Sequence, residues 1–403
     1  MSALRAIVVV GASAAGLAAV EGLRRSGFDG RLALVGEEKH FPYDRPPLSK
    51  QLLAGDWTAE RLPLRSPQVY DDLDVEVRLG VRARGLDTAC REVHLETGDP
   101  IRYDALVVAT GVRPRRLRGS EGIEGVHVLR TLDDALALKE SLSDRPPLVI
   151  VGGGFIGAEA AAVARGLGCE VTMVTDQEVP LADAVGPGIG TMLTGMHRDH
   201  GVSVVTGAPV ESIVTDGRHA TGVQLADGRT IEAGAVLIGI GARPNVEWLA
   251  GSGIPVGDGV ECDATLHAGG NVWAAGDVAS WPDPGTGERL RVEHRTNASE
   301  QGLAVARNIL AGPEAAAPFV TVPYVWSDQY DLKIQIYGRT RGADRMRVVK
   351  GSIEERKFTT LYGRQGRVTA ALGVNMIRPL RALRALVASR AAWDDAFSND
   401  AAA

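Results

Sequence analysis

The chain has 403 residues, of which 44 are Lys or Arg, 50 are Asp or Glu and three are Cys, for a formal net charge of −6. This length suits two to four domains, and 45% apolar with 23% charged residues excludes a disordered or membranous chain. The charge is uneven: residues 339–403 hold 13 basic and 6 acidic residues (+7), and the rest hold 31 and 44 (−13), which suits no general nucleic-acid binder but offers a local patch to an acidic partner.

At the N-terminus, residues 6–20 form an apolar run after Arg5 and superficially match a secretory segment. The glycine spacing argues instead for an apolar strand feeding a small-residue helix. No run reaches the roughly 18 to 20 apolar residues of a spanning helix. Cys90, Cys169 and Cys262 lie too far apart for a redox pair or a metal cluster. A cytoplasmic protein in a reducing compartment, with no membrane contact and no metal, is expected.

Two segments repeat each other at a distance of about 140 residues. In the first, the strand at residues 7–10 leads into Gly11, Ser13, Ala14, Ala15 and Gly16. A helix follows to about Ser26, then a strand at residues 31–35 ending near Glu37. In the second, the strand at residues 148–151 leads into Gly152, Gly154, Phe155, Ile156 and Gly157. A helix to about Leu167 and a strand at residues 170–174 follow, ending near Asp176. Both are βαβ units with a tight glycine turn at a helix N-terminus, where free N–H groups and the helix dipole hold a pyrophosphate. Two such copies in context predict dinucleotide binding. Glu37, 21 residues after Gly16, stands where a carboxylate accepts ribose hydroxyls. In the second copy Thr175 is in line with Glu37 and Asp176 is one place later. The absence of Lys and Arg from residues 171–191 favours NADH over NADPH.

Further along, residues 103–111 form a buried strand ending in Thr110 and Gly111, and residues 235–245 repeat that form through Gly241. A strand at residues 271–275 leads into Gly276 and Asp277, placed to bind a ribityl hydroxyl. A helix is expected to begin at Thr296, as N-cap, with Glu300 or Gln301 in its first turn. Past residue 318, strands are expected near 333–338, 345–350, 358–362 and 368–374, and a helix near 379–390 carries Arg378, Arg381 and Arg384 at i, i+3 spacing.

Taken in this order, the two fingerprints, the ATG string at 109–111 and the late Gly276-Asp277 pair resemble a two-dinucleotide flavoprotein reductase of the glutathione-reductase-like superfamily. Residues 40–50, HFPYDRPPLSK, lack the cysteine of its disulfide members. That string and Trp326-Ser327-Asp328-Gln329-Tyr330 resemble the oxygenase-coupled, NADH-dependent ferredoxin reductases, the putidaredoxin reductase-like group. The resemblance implies an α/β fold with two Rossmann-like domains and a smaller α+β C-terminal domain. FAD would occupy residues 1–111 with 242–317, NAD(H) residues 112–241, and the third domain residues 318–403.

It also implies roles. Glu37 and the first fingerprint would hold FAD, with Arg45, Ala83, Thr110, Gly111, Arg130, Gly276, Asp277 and Thr296. Gly241 and Asp176 would serve the nucleotides, and Phe155 would cover the flavin until nicotinamide displaces it. Lys50 would sit beside the flavin N5 edge and pair with Glu159, a cation favouring the anionic reduced flavin. Without the resemblance, Lys50 reads rather as a solvated first-turn lysine after Pro46-Pro47 and Glu159 as a surface helix charge. Trp326 would line the flavin. Arg295 stands where many relatives carry Trp, a departure at the flavin and partner face.

The implied chemistry is hydride transfer from NADH to FAD, followed by single-electron release. With no cysteine relay, the natural acceptor is an acidic [2Fe-2S] ferredoxin serving a monooxygenase or ring-hydroxylating dioxygenase, the chain itself being a monomer or weak homodimer. The same sites suit a rubredoxin, quinone or monodehydroascorbate reductase. Rivals of other classes are an apoptosis-inducing-factor-like flavoprotein and a flavin-free nucleotide-binding regulator.

Overall fold

The structure, a computed structural model, describes residues 4–397. The chain divides into two compact units: residues 1–44, 60–113 and 242–321 form one, and residues 45–59, 114–241 and 322–403 form the other.

The first unit is built on a six-stranded sheet. Ala6–Val10 lies at its centre, parallel to Arg31–Val35 on one side and Ala105–Val108 on the other. Val75–Arg78 and Val272–Ala274 extend it in parallel, and His267–Gly269 closes one edge antiparallel. The central strands are apolar and buried on both faces, as parallel strands covered by helices must be. Helix Ala14–Arg25 follows the first strand and packs against helix Arg295–Ala311.

The second unit repeats this design and adds to it. Leu148–Val151 runs parallel to Val171–Val174 and Ala235–Ile238, with Ser203–Val205 and Val126–His127 at the edges. Helix Phe155–Gly166 follows the first of these strands. Residues 324–374 form an antiparallel five-stranded sheet in the order Tyr324–Gln329, Leu332–Gly338, Arg367–Val374, Lys357–Arg364, Arg345–Ser352. Helix Ile377–Ala388 covers it, burying Leu380 and Val387 with Leu361, Val368 and Ala371. The helix starts two residues earlier than expected. The strand Tyr324–Gln329 is additional to the four expected, because Ser327, Asp328 and Gln329 carry little intrinsic strand preference and pairing with residues 332–337 decides the matter.

The two glycine loops share one steric requirement. Gly11 has φ +124° and Gly152 has φ +120°, and a Cβ on either would lie 2.0 Å from the Ala109 carbonyl oxygen or 2.2 Å from that of Gly239. Each loop therefore leans on the backbone just past the neighbouring parallel strand. The middle position is open: a Cβ on Gly154 meets nothing within 4 Å. This is why its counterpart in the first loop can be Ser13. Gly11→Ala is expected to cost about 2–4 kcal/mol in denaturant unfolding of the cofactor-free protein, and Gly154→Ala less than about 0.5 kcal/mol. Equal losses would contradict this reading of the loops.

Candidate functional site

Helix Ala14–Arg25 begins without a side-chain cap from Ser13, and its first intrahelical bond runs from the Leu17 N–H to the Ser13 carbonyl. The N–H groups of Ala14, Ala15 and Gly16 thus precede the helical ladder. In the second unit the first such bond runs from Ala158 to Gly154, so Phe155, Ile156 and Gly157 occupy the same position. Both termini have the donors and the dipole that a pyrophosphate requires. Phe155 is half-buried and Ile156 exposed.

Glu37 is exposed past its strand, and Arg82 approaches it at 3.6 Å, a neighbour the sequence did not reveal. Asp176 is likewise exposed, whereas Thr175 is buried and its Oγ1 accepts from the Gln177 N–H at 3.2 Å. Thr110 and Gly111 are tied to Asn245: Thr110 Oγ1 donates to its carbonyl at 2.7 Å, and the Asn245 N–H donates to Gly111. Gly241 accepts from the Arg115 N–H, and Ala83 opens the strand Ala83–Asp87.

Gly276 takes φ +82° and its N–H donates to Gln301 Oε1 at 2.7 Å, with Asp277 next in the chain. Gln301 Nε2 and Asn297 Oδ1 are buried without a protein partner. Buried polar atoms require partners, and a ligand rich in donors and acceptors, such as a flavin nucleotide, supplies them. The helix carrying these two residues begins earlier than expected. His294 is its N-cap residue, in extended conformation, and the first intrahelical bond runs from Ala298 to His294. Thr296 therefore lies inside the first turn and is not the N-cap. Arg295 opens the helix, with Nε 2.6 Å from Asp44 Oδ1 and Nη1 2.5 Å from Ser299 Oγ.

In the second unit, Glu159 is 4% exposed on the inward face of its helix, and Lys50 Nζ lies 2.6 Å from its Oε2. Pro46–Ser49 forms a short 3-10 turn that delivers Lys50 to this position. Two hydroxyls complete the carboxylate's shell: Ser49 Oγ donates to Oε2 at 2.5 Å and Ser327 Oγ to Oε1 at 2.7 Å. A buried ion pair is tolerated only when its remaining lone pairs are satisfied in this way. Both serines lie in the strings that carry the resemblance, yet nothing local marks either as a buried hydroxyl. Arg45 donates through Nη1 to the backbone carbonyl of Arg130 at 2.6 Å. Trp326 is half-buried and stacks on Tyr324, whose ring lies 4.9 Å from that of Tyr337.

No cysteine belongs to this arrangement. Cys90 is exposed and its thiol is pushed up by the hydrogen bond to Asp87; Cys169 and Cys262 are buried, and burial pushes Cys262 up to about 12. None is an activated thiolate. Among the described residues no His, Cys, Asp and Glu group could hold a metal ion, and no helix is long and apolar enough to cross a membrane.

The fold and these groups define an α/β oxidoreductase with two dinucleotide-binding loops. The chain belongs to the pyridine nucleotide-disulphide oxidoreductase family, matched over residues 5–302, and carries a reductase C-terminal domain over residues 324–403. It works with FAD and NAD(H). Rhodocoxin reductase of Rhodococcus erythropolis is 37% identical over 386 residues, covering 95% of this chain and 89% of that protein. The ferredoxin reductase subunit of 5,5'-dehydrodivanillate O-demethylase from Sphingobium sp. is 38% identical, covering 94% and 92%. Among solved structures, the covalent putidaredoxin reductase–putidaredoxin complex is similar with a TM-score of 0.90 at 33% identity, over 96% of this chain and 93% of that one.

One buried histidine continues from the ion pair. His197 is 2% exposed, with Nε2 3.1 Å from Gln329 Oε1 and Nδ1 3.3 Å from the Tyr330 hydroxyl; burial pushes it down to about 4. Its folded value lies below the unfolded one, so between roughly pH 6.5 and 4 the unfolded chain binds a proton that the native state excludes, and stability falls as pH falls. Urea unfolding across this window is expected to lose on the order of 3 kcal/mol more in the native chain than in His197→Gln. Parallel curves for the two would contradict it.

Proposed function

We propose that this chain is an FAD-dependent NADH:ferredoxin oxidoreductase, passing electrons to an acidic [2Fe-2S] ferredoxin that serves an oxygenase. The observation that carries the reading is the buried Lys50–Glu159 pair, 2.6 Å apart, in a protein whose three cysteines stand outside it. A dithiol relay would need a cysteine in residues 40–50, and there is none. When bound, the flavin supplies the exchange between a two-electron donor and one-electron acceptors.

In this reading Gly11, Ser13, Ala14, Ala15, Gly16, Glu37, Ala83, Thr110, Gly111, Gly276, Asp277, Arg295 and Thr296 hold FAD, with Arg45 and Arg130 toward its phosphates. Gly152, Gly154, Phe155, Ile156, Gly157, Asp176 and Gly241 hold NADH. Lys50 presents its ammonium to the reacting flavin edge, Glu159 orients that ammonium, and Trp326 lines the route by which electrons leave. The domain roles follow: FAD with residues 1–111 and 242–317, NADH with residues 112–241, and carrier docking on residues 318–403.

The docking reading is supported by where the basic residues fall. Arg378, Arg381 and Arg384 are exposed on helix Ile377–Ala388, and Arg384 lies over the ring of Tyr337, 6.0 Å from its centroid. Tyr337 in turn adjoins Tyr324 and, through it, Trp326, so the positive edge borders an aromatic patch. Relatives named as ferredoxin–NAD(+) reductase components of dioxygenase systems, including that of p-cumate 2,3-dioxygenase in Pseudomonas putida at 37% identity, favour the same partner class.

Steady-state turnover with NADH and a [2Fe-2S] ferredoxin, against rubredoxin and quinone acceptors, tests the assignment; faster turnover with rubredoxin or a quinone would overturn it. Replacing Arg378, Arg381 and Arg384 by Gln is expected to lower ferredoxin reduction roughly tenfold at low salt and to flatten its salt dependence, with ferricyanide reduction unchanged. Equal loss with both acceptors would assign these arginines a structural role.

A further inference from the structure

The buried side chains beyond the ion pair form a hydrogen-bond chain whose direction can be deduced. Glu159, paired with Lys50, can only accept. Ser327 Oγ, 2.7 Å from Glu159 Oε1, must therefore give its single proton to the carboxylate. Its lone pair then accepts from Gln329 Nε2 at 3.1 Å, which turns Gln329 Oε1 toward His197 Nε2, 3.1 Å away. That oxygen needs a donor, so the His197 proton sits on Nε2. His197 Nδ1 is left to accept from the Tyr330 hydroxyl at 3.3 Å. Every link points its hydrogen toward Glu159. Ser327, Gln329 and His197 are each 2% exposed or less, so water does not compete for these links.

Helix Pro187–Asp199 supplies His197, and strand Tyr324–Gln329 with the turn residue Tyr330 supplies the other links; neither element is part of a nucleotide loop. We infer that His197 is a positioning residue for the Lys50–Glu159 pair: it holds the Gln329 amide, which in turn holds Ser327 with its hydroxyl on Glu159 Oε1, so that Oε2 stays turned to Lys50. This rests on the roles proposed above for Lys50 and Glu159. Burial keeps His197 neutral, with its folded value near 4, as a link with one donor and one acceptor requires. Tyr330, pushed up to about 12 by burial and stacked on His200, remains a donor. The chain acts as a unit, because each group accepts one hydrogen bond and donates the next.

Nitrogen NMR of the protein labelled with 15N-histidine tests the direction, with His197 assigned by the signals lost in His197→Gln. The expected result near neutral pH is a neutral ring protonated at Nε2, and a mixed tautomer in Ser327→Ala, where the amide of Gln329 is no longer held. A ring protonated at Nδ1 in the native chain, or an unmoved tautomer in Ser327→Ala, overturns the inference.

Stopped-flow reduction of the FAD-loaded protein by NADH tests the consequence. His197→Phe is expected to slow the reduction step roughly three- to tenfold with NADH affinity unchanged, and His197→Gln, which keeps an N–H donor, to restore it within about twofold. Should His197→Phe fail to fold, Ser327→Ala carries the same readout with the loss of one hydroxyl. Glu159→Gln separates the two claims: if it leaves reduction unchanged, the proposed role of the ion pair is wrong. If it slows reduction and His197→Phe does not, only the inference is wrong.

Discussion

A carboxylate and an ammonium largely taken out of water at Glu159 and Lys50 can lose more solvation than their attraction alone returns. The pair persists because other groups take up the remaining lone pairs, and that requirement dictates which parts of the chain must meet. The 3-10 turn Pro46–Ser49 brings Ser49 and Lys50, helix Phe155–Gly166 brings Glu159, and strand Tyr324–Gln329 brings Ser327. Three segments more than 100 residues apart in sequence are thereby fixed around one carboxylate. The same helix carries the second nucleotide loop at its N-terminus, so Glu159 and the donors of Phe155, Ile156 and Gly157 share one rigid element.

What was legible in the sequence was what is local. The paired glycine loops could be read directly, since a strand, a left-handed glycine and a helix start within a few residues of one another, and Gly11 and Gly152 have the same steric reason for being glycine. The pairing of Lys50 with Glu159, 109 residues apart, was reached only through resemblance, because no local pattern distinguishes a buried carboxylate from a solvated one. The links of Ser49, Ser327, Gln329 and His197 to that pair escaped for the same reason. Alternation along Tyr324–Gln329, with Ser327 and Gln329 both buried on one face, was the one available signal, and their polarity hid it. Thr296 was misplaced because its good capping propensity competes with a helix that starts earlier at Arg295, after a His294 whose side chain does not cap it.

The location of charge has a similar logic. A chain of net charge −6 carries +7 beyond residue 338, and part of that surplus is exposed on one helix beside Tyr337, Tyr324 and Trp326. Charges at a rim act mainly on the rate and orientation of encounter. The buried polar chain and this exposed edge draw on the same sheet, since Ser327 and Gln329 alternate with Trp326 and Asp328 along one strand. One face of that strand turns Ser327 to Glu159, and the other carries the half-buried Trp326.

In its proposed role the Lys50 ammonium, held by Glu159, sets the charge at the flavin's reacting edge. Spectroelectrochemical titration of the bound FAD in the native chain and in Lys50→Met tests it most directly. The expected result is a more negative two-electron potential in the variant, by roughly 30 mV or more, with FAD still bound. An unchanged potential would contradict it.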